Sequence, residues 1–180
     1  MSKRKLSPRD LCYIAVGAAL LALCSWLSIP FTVPFTLQTF AVCLIAALLG
    51  LRRVLLAVLI YLLLGLAGLP VFSGFRGGFG VLLGPTGGFL IAYLPTAFTV
   101  GLAAERAPGR PWPLAFGMGL GMLLCYLGGT AWFMLGFSRA SGAIGLLSAL
   151  NLCVFPFLLP DTVKCVLALL LAQRLRPHIR

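Results

Sequence analysis

The sequence predicts an all-α integral membrane protein of six transmembrane helices with both termini cytoplasmic, and three observations carry that prediction. Of the 180 residues 61% are hydrophobic and only 9% are charged. The apolar residues gather into six runs near the length a bilayer requires, and the basic residues collect at the ends of those runs. A water-soluble core of this size would need polar residues to cover it, and those residues are absent. The net charge of +11 raises the possibility of a nucleic-acid partner, but the basic positions form no stripe with interleaved aromatics, so none is expected. The lipid bilayer is the expected surrounding.

The predicted spans run over 10–28, 35–51, 54–69, 88–104, 113–136 and 156–173. The first is preceded by a basic segment that resembles a signal peptide. Ser7, Pro8 and Asp10 read instead as an N-cap, an N1 proline and an acidic N3 residue, the start of a retained helix. The second and third runs are separated only by Arg52 and Arg53. Together they are too long for one span, and two arginines at mid-membrane would cost about 5–7 kcal/mol, so a hairpin turn is expected there. With both termini inside, Lys3, Arg4, Lys5, Arg9, Arg52, Arg53, Arg106, Arg110, Arg174, Arg176 and Arg180 lie on the inner side, against Arg76 and Arg139 on the outer. Residues 1–180 read as a single six-helix membrane domain.

The inner connections are short and basic; the outer ones are PFTVPF, GLPVFSGFRGGFGVLLGPTGG and GFSRASGAIGLLSALNLCVF. The middle one, 68–88, is too rich in glycine and proline for a helix, yet it carries Phe72, Phe75, Phe79 and several aliphatic residues. A mere linker would be polar. An extracellular glycine-rich lid loop that packs over something is expected, the alternative being a re-entrant turn buried in protein. It holds no G-x-x-x-x-G-K-[ST], so it is not expected to bind nucleotide.

Asp161 and Lys164 share one helical face inside the last run, where each ionised side chain costs roughly 2.5–3.5 kcal/mol. Two readings stay open: a neutralised pair near a helix end, or a polar recognition point lining an outward-facing cavity. Thr36, Gln38 and Asn151 taken alone read as ordinary interfacial polar residues; their interest is that they converge on the same side of the membrane as this pair and the glycine-rich loop. In the first span Ala15 and Ala19, and Ala18 and Ala22, recur at the four-residue spacing that permits close helix approach. They suit either packing within the monomer or docking to another membrane subunit, and Gly117, Gly119 and Gly121 are similarly placed. Six cysteines are scattered without a C-x-x-C pair, and His178 is the only histidine. Neither a metal site nor a nucleophile and base pair can be assembled, so no enzyme activity is expected.

PFTVPFTLQTF, GLPVFSGFRGGFGVLLGPTGGF and FPFLLPDTVKCVLA, in that order and spanning nearly the whole chain, resemble the BioY family, the biotin-specific S component of energy-coupling factor (ECF) transporters. The resemblance implies the ECF S-component fold and biotin uptake, with high-affinity capture of the vitamin at the outer face. A membrane carrier for another small vitamin, or a solitary biotin facilitator, is the alternative. It implies as partners a T-component membrane protein, which α-helical small residues such as Ala15, Ala18, Ala19 and Ala22 would meet, and two ABC ATPases, so that ATP is hydrolysed only by partner subunits and no cofactor is held here. It further implies that Asp161 accepts a ureido N–H and Lys164 donates to the ligand. Either Arg76 or Lys164 would meet the ligand carboxylate, Phe72, Phe75, Phe79 and Tyr93 would cover its apolar rings, and Thr86, Thr36, Gln38 and Asn151 complete the candidate site.

Overall fold

A computed structural model describes residues 6–141 and 144–179. The elements are α1 (Pro8–Trp26), β1 (Ser28–Ile29), β2 (Phe35–Thr36), α2 (Gln38–Leu49), α3 (Leu51–Leu66), α4 (Phe79–Leu83), α5 (Gly87–Arg106), α6 (Pro111–Ser141), α7 (Leu146–Cys153) and α8 (Phe155–Ile179). Four stretches among the described residues are long and apolar enough to cross a membrane: α1, α5, Pro111–Phe137 of α6, and the run Leu146–Pro177. The second and third expected spans appear as the shorter α2 and α3, of 12 and 16 residues. At 1.5 Å per residue α2 rises only about 18 Å. Its expected first turn is taken instead by the hairpin of β1 and β2, where Ser28 pairs with Thr36 and Ile29 with Phe35.

The first helix begins as its sequence dictates. The Ser7 hydroxyl accepts from the Asp10 N–H at 3.2 Å, the Asp10 carboxylate accepts from the Ser7 N–H at 2.8 Å, and Pro8 opens the helix. Asp10 also pairs with Arg53 of α3 at 2.6 Å. The turn between the second and third helices lies two residues before the arginines. Gly50 reverses the chain at φ 80°, and Arg52 and Arg53 fall inside the first turn of α3. The reason is a cap from elsewhere: Glu105 of α5 accepts the Leu51 N–H at 2.8 Å, and a Cβ on Gly50 would sit 2.9 Å from that carboxylate oxygen. Two short elements within the longer connections were not predicted, α4 and α7.

The core runs between α1, α2, α3 and α5, with Tyr61, Val54, Val58, Val100 and Ala41 fully enclosed. Helices α5 and α6 are antiparallel and in close contact. A Cβ on Gly117 would lie 2.7 Å from that of Ala103, whereas one on Gly119 would meet nothing within 4 Å, so only the former serves packing inside the chain. In α1, Ala18 and Ala22 are buried against the bundle, while Ala15 and Ala19 lie on its open face.

Candidate functional site

A partly open cavity forms where the β1–β2 hairpin, the loop after α3 and helices α2, α5, α6 and α8 meet. Its apolar walls include Val33, Phe72, Phe89 and Phe157, and its polar groups come from Thr36, Gln38, Ser73, Thr86, Tyr93 and the pair Asp161 and Lys164. Asp161 and Lys164 are 4% and 6% exposed, so the two charges lie inside protein rather than at a wet helix end. An ion pair withdrawn from solvent is tolerable only when other hydrogen bonds complete it. Here the hairpin, α2 and α6 each supply one.

The Lys164 ammonium donates to Asp161 Oδ1 at 2.8 Å and to the Thr36 carbonyl at 2.6 Å, and it stands 3.9 Å from the centroid of the Phe35 ring. The hairpin explains that geometry. Antiparallel pairing fixes Phe35 and Thr36, and the Leu37 N–H is tied to the Cys24 carbonyl of α1 at 3.2 Å, so carbonyl and ring are both presented by rigid backbone. Asp161 Oδ1 also accepts from Thr39 at 3.0 Å, and Oδ2 accepts from the Tyr126 hydroxyl at 2.7 Å. A carboxylate offers about four lone-pair positions. Three are taken, two of them on Oδ1, so the spare acceptor capacity lies on Oδ2.

Beside the pair, Gln38 is buried at the start of α2 within a second network. Its amide nitrogen donates to Tyr61 at 2.6 Å, and its oxygen accepts from Thr36 Oγ1 at 3.0 Å and from Tyr93 at 3.4 Å. These bonds fix the cavity wall through neutral groups. Cys125 and Cys153 line the same space as small apolar groups. Among the described residues no cluster of three metal-ligating side chains exists.

The glycine-rich loop divides at a tight turn. Phe72 and Arg76 form a two-residue antiparallel bridge, and between them Gly74 and Phe75 both adopt positive φ. That turn sends Phe72 inward and Phe75 outward. Phe72 is 1% exposed, meets Tyr61 edge to face at 5.5 Å and fills the place a side chain on Gly65 would need: a Cβ there would fall 1.9 Å from the Phe72 ring. Phe75 is exposed and stacks on Trp26 at 5.1 Å. The loop backbone is tied to the end of α1, where Ser25 donates to the Val71 carbonyl at 2.5 Å and Trp26 Nε1 to that of Pro70 at 2.7 Å.

The structure therefore brings Asp161, Lys164, Thr36, Gln38, Tyr93 and Thr86 to one cavity and leaves Arg76, Phe75, Phe79 and Asn151 outside it. Arg76 and Phe79 are exposed, and Asn151 lines a separate groove with Phe31, Pro156 and Pro160. Tyr126, Thr39, Phe35, Phe89 and Phe157 belong to the site without having been singled out in the sequence. Thr39 and Phe35 flank residues that were, and Tyr126 was signalled only by being a hydroxyl in an otherwise apolar run.

The arrangement can recognise a small, mostly apolar molecule that carries a hydrogen-bond donor for a carboxylate and an acceptor for an ammonium. Comparison with known proteins agrees. A model of the BioY family matches residues 1–180. The chain is 42% identical over 170 residues to the biotin transporter BioY of Thermotoga maritima, covering 93% of this chain and 96% of that protein. It is 40% identical to the biotin transporter BioY of Rhodobacter capsulatus, covering 94% of each. A crystal structure at 2.1 Å of the S-component for biotin from an ECF-type ABC transporter superposes with a TM-score of 0.83, at 29% identity, covering 98% of this chain and 95% of that one.

Proposed function

Because the chain belongs to the BioY family, we propose that it takes up biotin as the substrate-binding membrane subunit of an ECF-type ABC transporter and performs no covalent chemistry. The observation that carries the reading is the cavity in which Asp161 and Lys164 are presented together. Biotin has a ureido ring with two donors and one acceptor, an apolar bicycle and a carboxylate tail. Asp161 Oδ2 accepts one ureido N–H, Lys164 donates to an oxygen of the ligand, and Phe72, Phe89 and Phe157 cover the rings. Within this reading 68–88 is the lid, and Thr36, Gln38, Tyr93 and Thr86 keep the wall in shape.

The remaining parts of the proposal follow the same reading. The chain spans the cell membrane six times with both termini cytoplasmic, α2 and α3 crossing with the help of their flanking segments. A T-component docks on the open face of α1 at Ala15 and Ala19, where small side chains allow close approach, and two ABC ATPases hydrolyse the ATP. No cofactor is held. The test is calorimetric titration of the purified protein with biotin: saturable binding is expected, and its absence removes the transport reading. Asp161→Asn keeps the shape but removes a charged acceptor. It should weaken binding by about tenfold to a hundredfold while the protein remains folded, and unchanged affinity would remove Asp161 from its role.

A further inference from the structure

We propose that Ser73 and Thr86, which lie on either side of α4 in the glycine-rich loop, receive the carboxylate of the ligand through their neutral hydroxyl groups. The two ends of biotin are then held by opposite means, a buried ion pair at the ureido ring and uncharged donors at the acid. The inference rests on the transport reading and names the part of that site which the charged pair leaves unassigned.

Hydrogen-bond capacity is the first argument. The groups around Gln38 bond to one another, and Thr39, Tyr126 and Lys164 bond to Asp161. Ser73 and Thr86 line the same cavity, and among the described residues neither hydroxyl has a hydrogen-bond partner. Thr86 holds the N-cap position of α5, where a threonine side chain ordinarily accepts from the first turn. Its backbone is already helical there, at φ −93° and ψ −4°, and its side chain makes no capping bond. Two hydroxyls that the fold leaves unused therefore line the cavity, and each has a proton to donate.

Separation is the second argument, and α6 serves as the ruler. Its Tyr126 donates to Asp161, while further along it Trp132 Nε1 donates to the Gly84 carbonyl at 3.0 Å and a Cβ on Gly88 would overlap that of Trp132. A Cβ on Gly136 would lie 3.3 Å from the Cα of Pro85. Trp132 and Gly136 stand six and ten residues beyond Tyr126, which is about 9 and 15 Å along the axis at 1.5 Å per residue. Thr86 lies between Pro85 and Gly88, so it sits within that interval. Biotin extended from ureido nitrogen to carboxylate spans roughly 10 Å at ordinary bond lengths. With the ureido ring on Asp161 the acid reaches the level of Thr86, and Lys164 is left for the ureido oxygen.

Charge is the third argument. Among the described residues lining the cavity Lys164 is the one cation, and it is held by Asp161 and the Thr36 carbonyl. Arg76 is exposed and lines no part of the space. A carboxylate taken wholly out of water would require a cation beside it. Ser73 and Thr86 are half-buried and the cavity is partly open, so the ligand carboxylate keeps part of its hydration and neutral donors suffice.

The experiment is calorimetric titration of the purified full chain with biotin and with biotinol, in which a hydroxymethyl group replaces the carboxylate. The parent should bind biotin at least about tenfold more tightly than biotinol. Ser73→Ala and Thr86→Val remove one hydroxyl each with little change of shape, and neither breaks a bond within the protein, so the thermal unfolding midpoint should stay in place. Each should weaken biotin binding about tenfold and biotinol binding by less than about threefold. Unchanged biotin affinity in either variant would overturn the assignment. So would an equal loss for both ligands, since the hydroxyls would then support the loop instead of meeting the acid. Either result, obtained with a parent that binds biotin, would leave the transport reading standing, whereas a parent that binds no biotin would remove that reading and this one with it.

Discussion

Lys164 and Arg76 are cations in two of the segments that contribute walls to the cavity, and the fold treats them in opposite ways. Lys164 is 6% exposed, and its ammonium has a carboxylate, a carbonyl and an aromatic face as neighbours, contributed by α8 and β2. Arg76 is exposed, and what the structure fixes of it is backbone, paired with Phe72 at 2.9 and 3.3 Å. The difference teaches where a membrane protein can keep a charge. Withdrawing an ammonium from water costs several kcal/mol, which is offset only where several rigid elements converge with matched acceptors. A loop of glycines cannot provide that convergence, so its cation stays at the surface.

Removing the buried charge should break the comparison most severely. In Lys164→Met the Asp161 carboxylate keeps Thr39 and Tyr126 but loses the ammonium paired with it while still buried. The expected loss is about 3–5 kcal/mol of folding stability, together with biotin binding. Chemical denaturation in detergent micelles beside a binding titration would measure both. A variant as stable as the parent would mean that the pair is not stabilised by enclosure as argued.

Phe72→Ala attacks the loop at the point where it belongs to the core. The aromatic ring that occupies the space over Gly65 and meets Tyr61 is lost, with an expected cost of about 3 kcal/mol. Because this ring anchors the glycine-rich loop, the proposal that the loop is a lid predicts faster biotin release in a chase experiment alongside the lower stability. Tyr126→Phe is milder. It removes one donor from Asp161 Oδ2 and leaves the ring in place, so binding should change by about 1 kcal/mol, near fivefold, with little effect on folding. If Tyr126→Phe cost as much as Asp161→Asn, the hydroxyl would itself be a ligand contact rather than a group that positions the carboxylate.

These side chains also mark how far the sequence could be read. Asp161 and Lys164 were legible because ionised groups in an apolar run demand a reason, and Thr36 and Gln38 because they open a helix on the same side. Tyr126 and Thr39 were not, since a tyrosine or threonine in such a run is ordinary. Their role arises only when positions 35 and 122 residues away from Asp161 in the chain are folded against it. The glycine-rich loop was legible as a packed segment, but not which aromatic would turn inward. That choice rests on positive φ at Gly74 and Phe75, which composition does not report. Similarly, the reversal at Gly50 depended on a carboxylate from α5, invisible to any local reading of Arg52 and Arg53.

The smallest expected effect is the most informative about the loop. Arg76→Gln exchanges an exposed cation for a neutral side chain and keeps the backbone pairing with Phe72, so folding should change by less than about 0.5 kcal/mol. The affinity for biotin should change by less than about twofold on the same ground, and the ratio of affinities for biotin and its methyl ester should stay as in the parent. That ratio isolates the ligand carboxylate. If the substitution lowered biotin affinity tenfold while sparing the ester, Arg76 would have to reach the carboxylate once the ligand is seated. The loop would then carry a charge into the site on closing, and the separation between a buried cation that recognises and a surface cation that does not would fail.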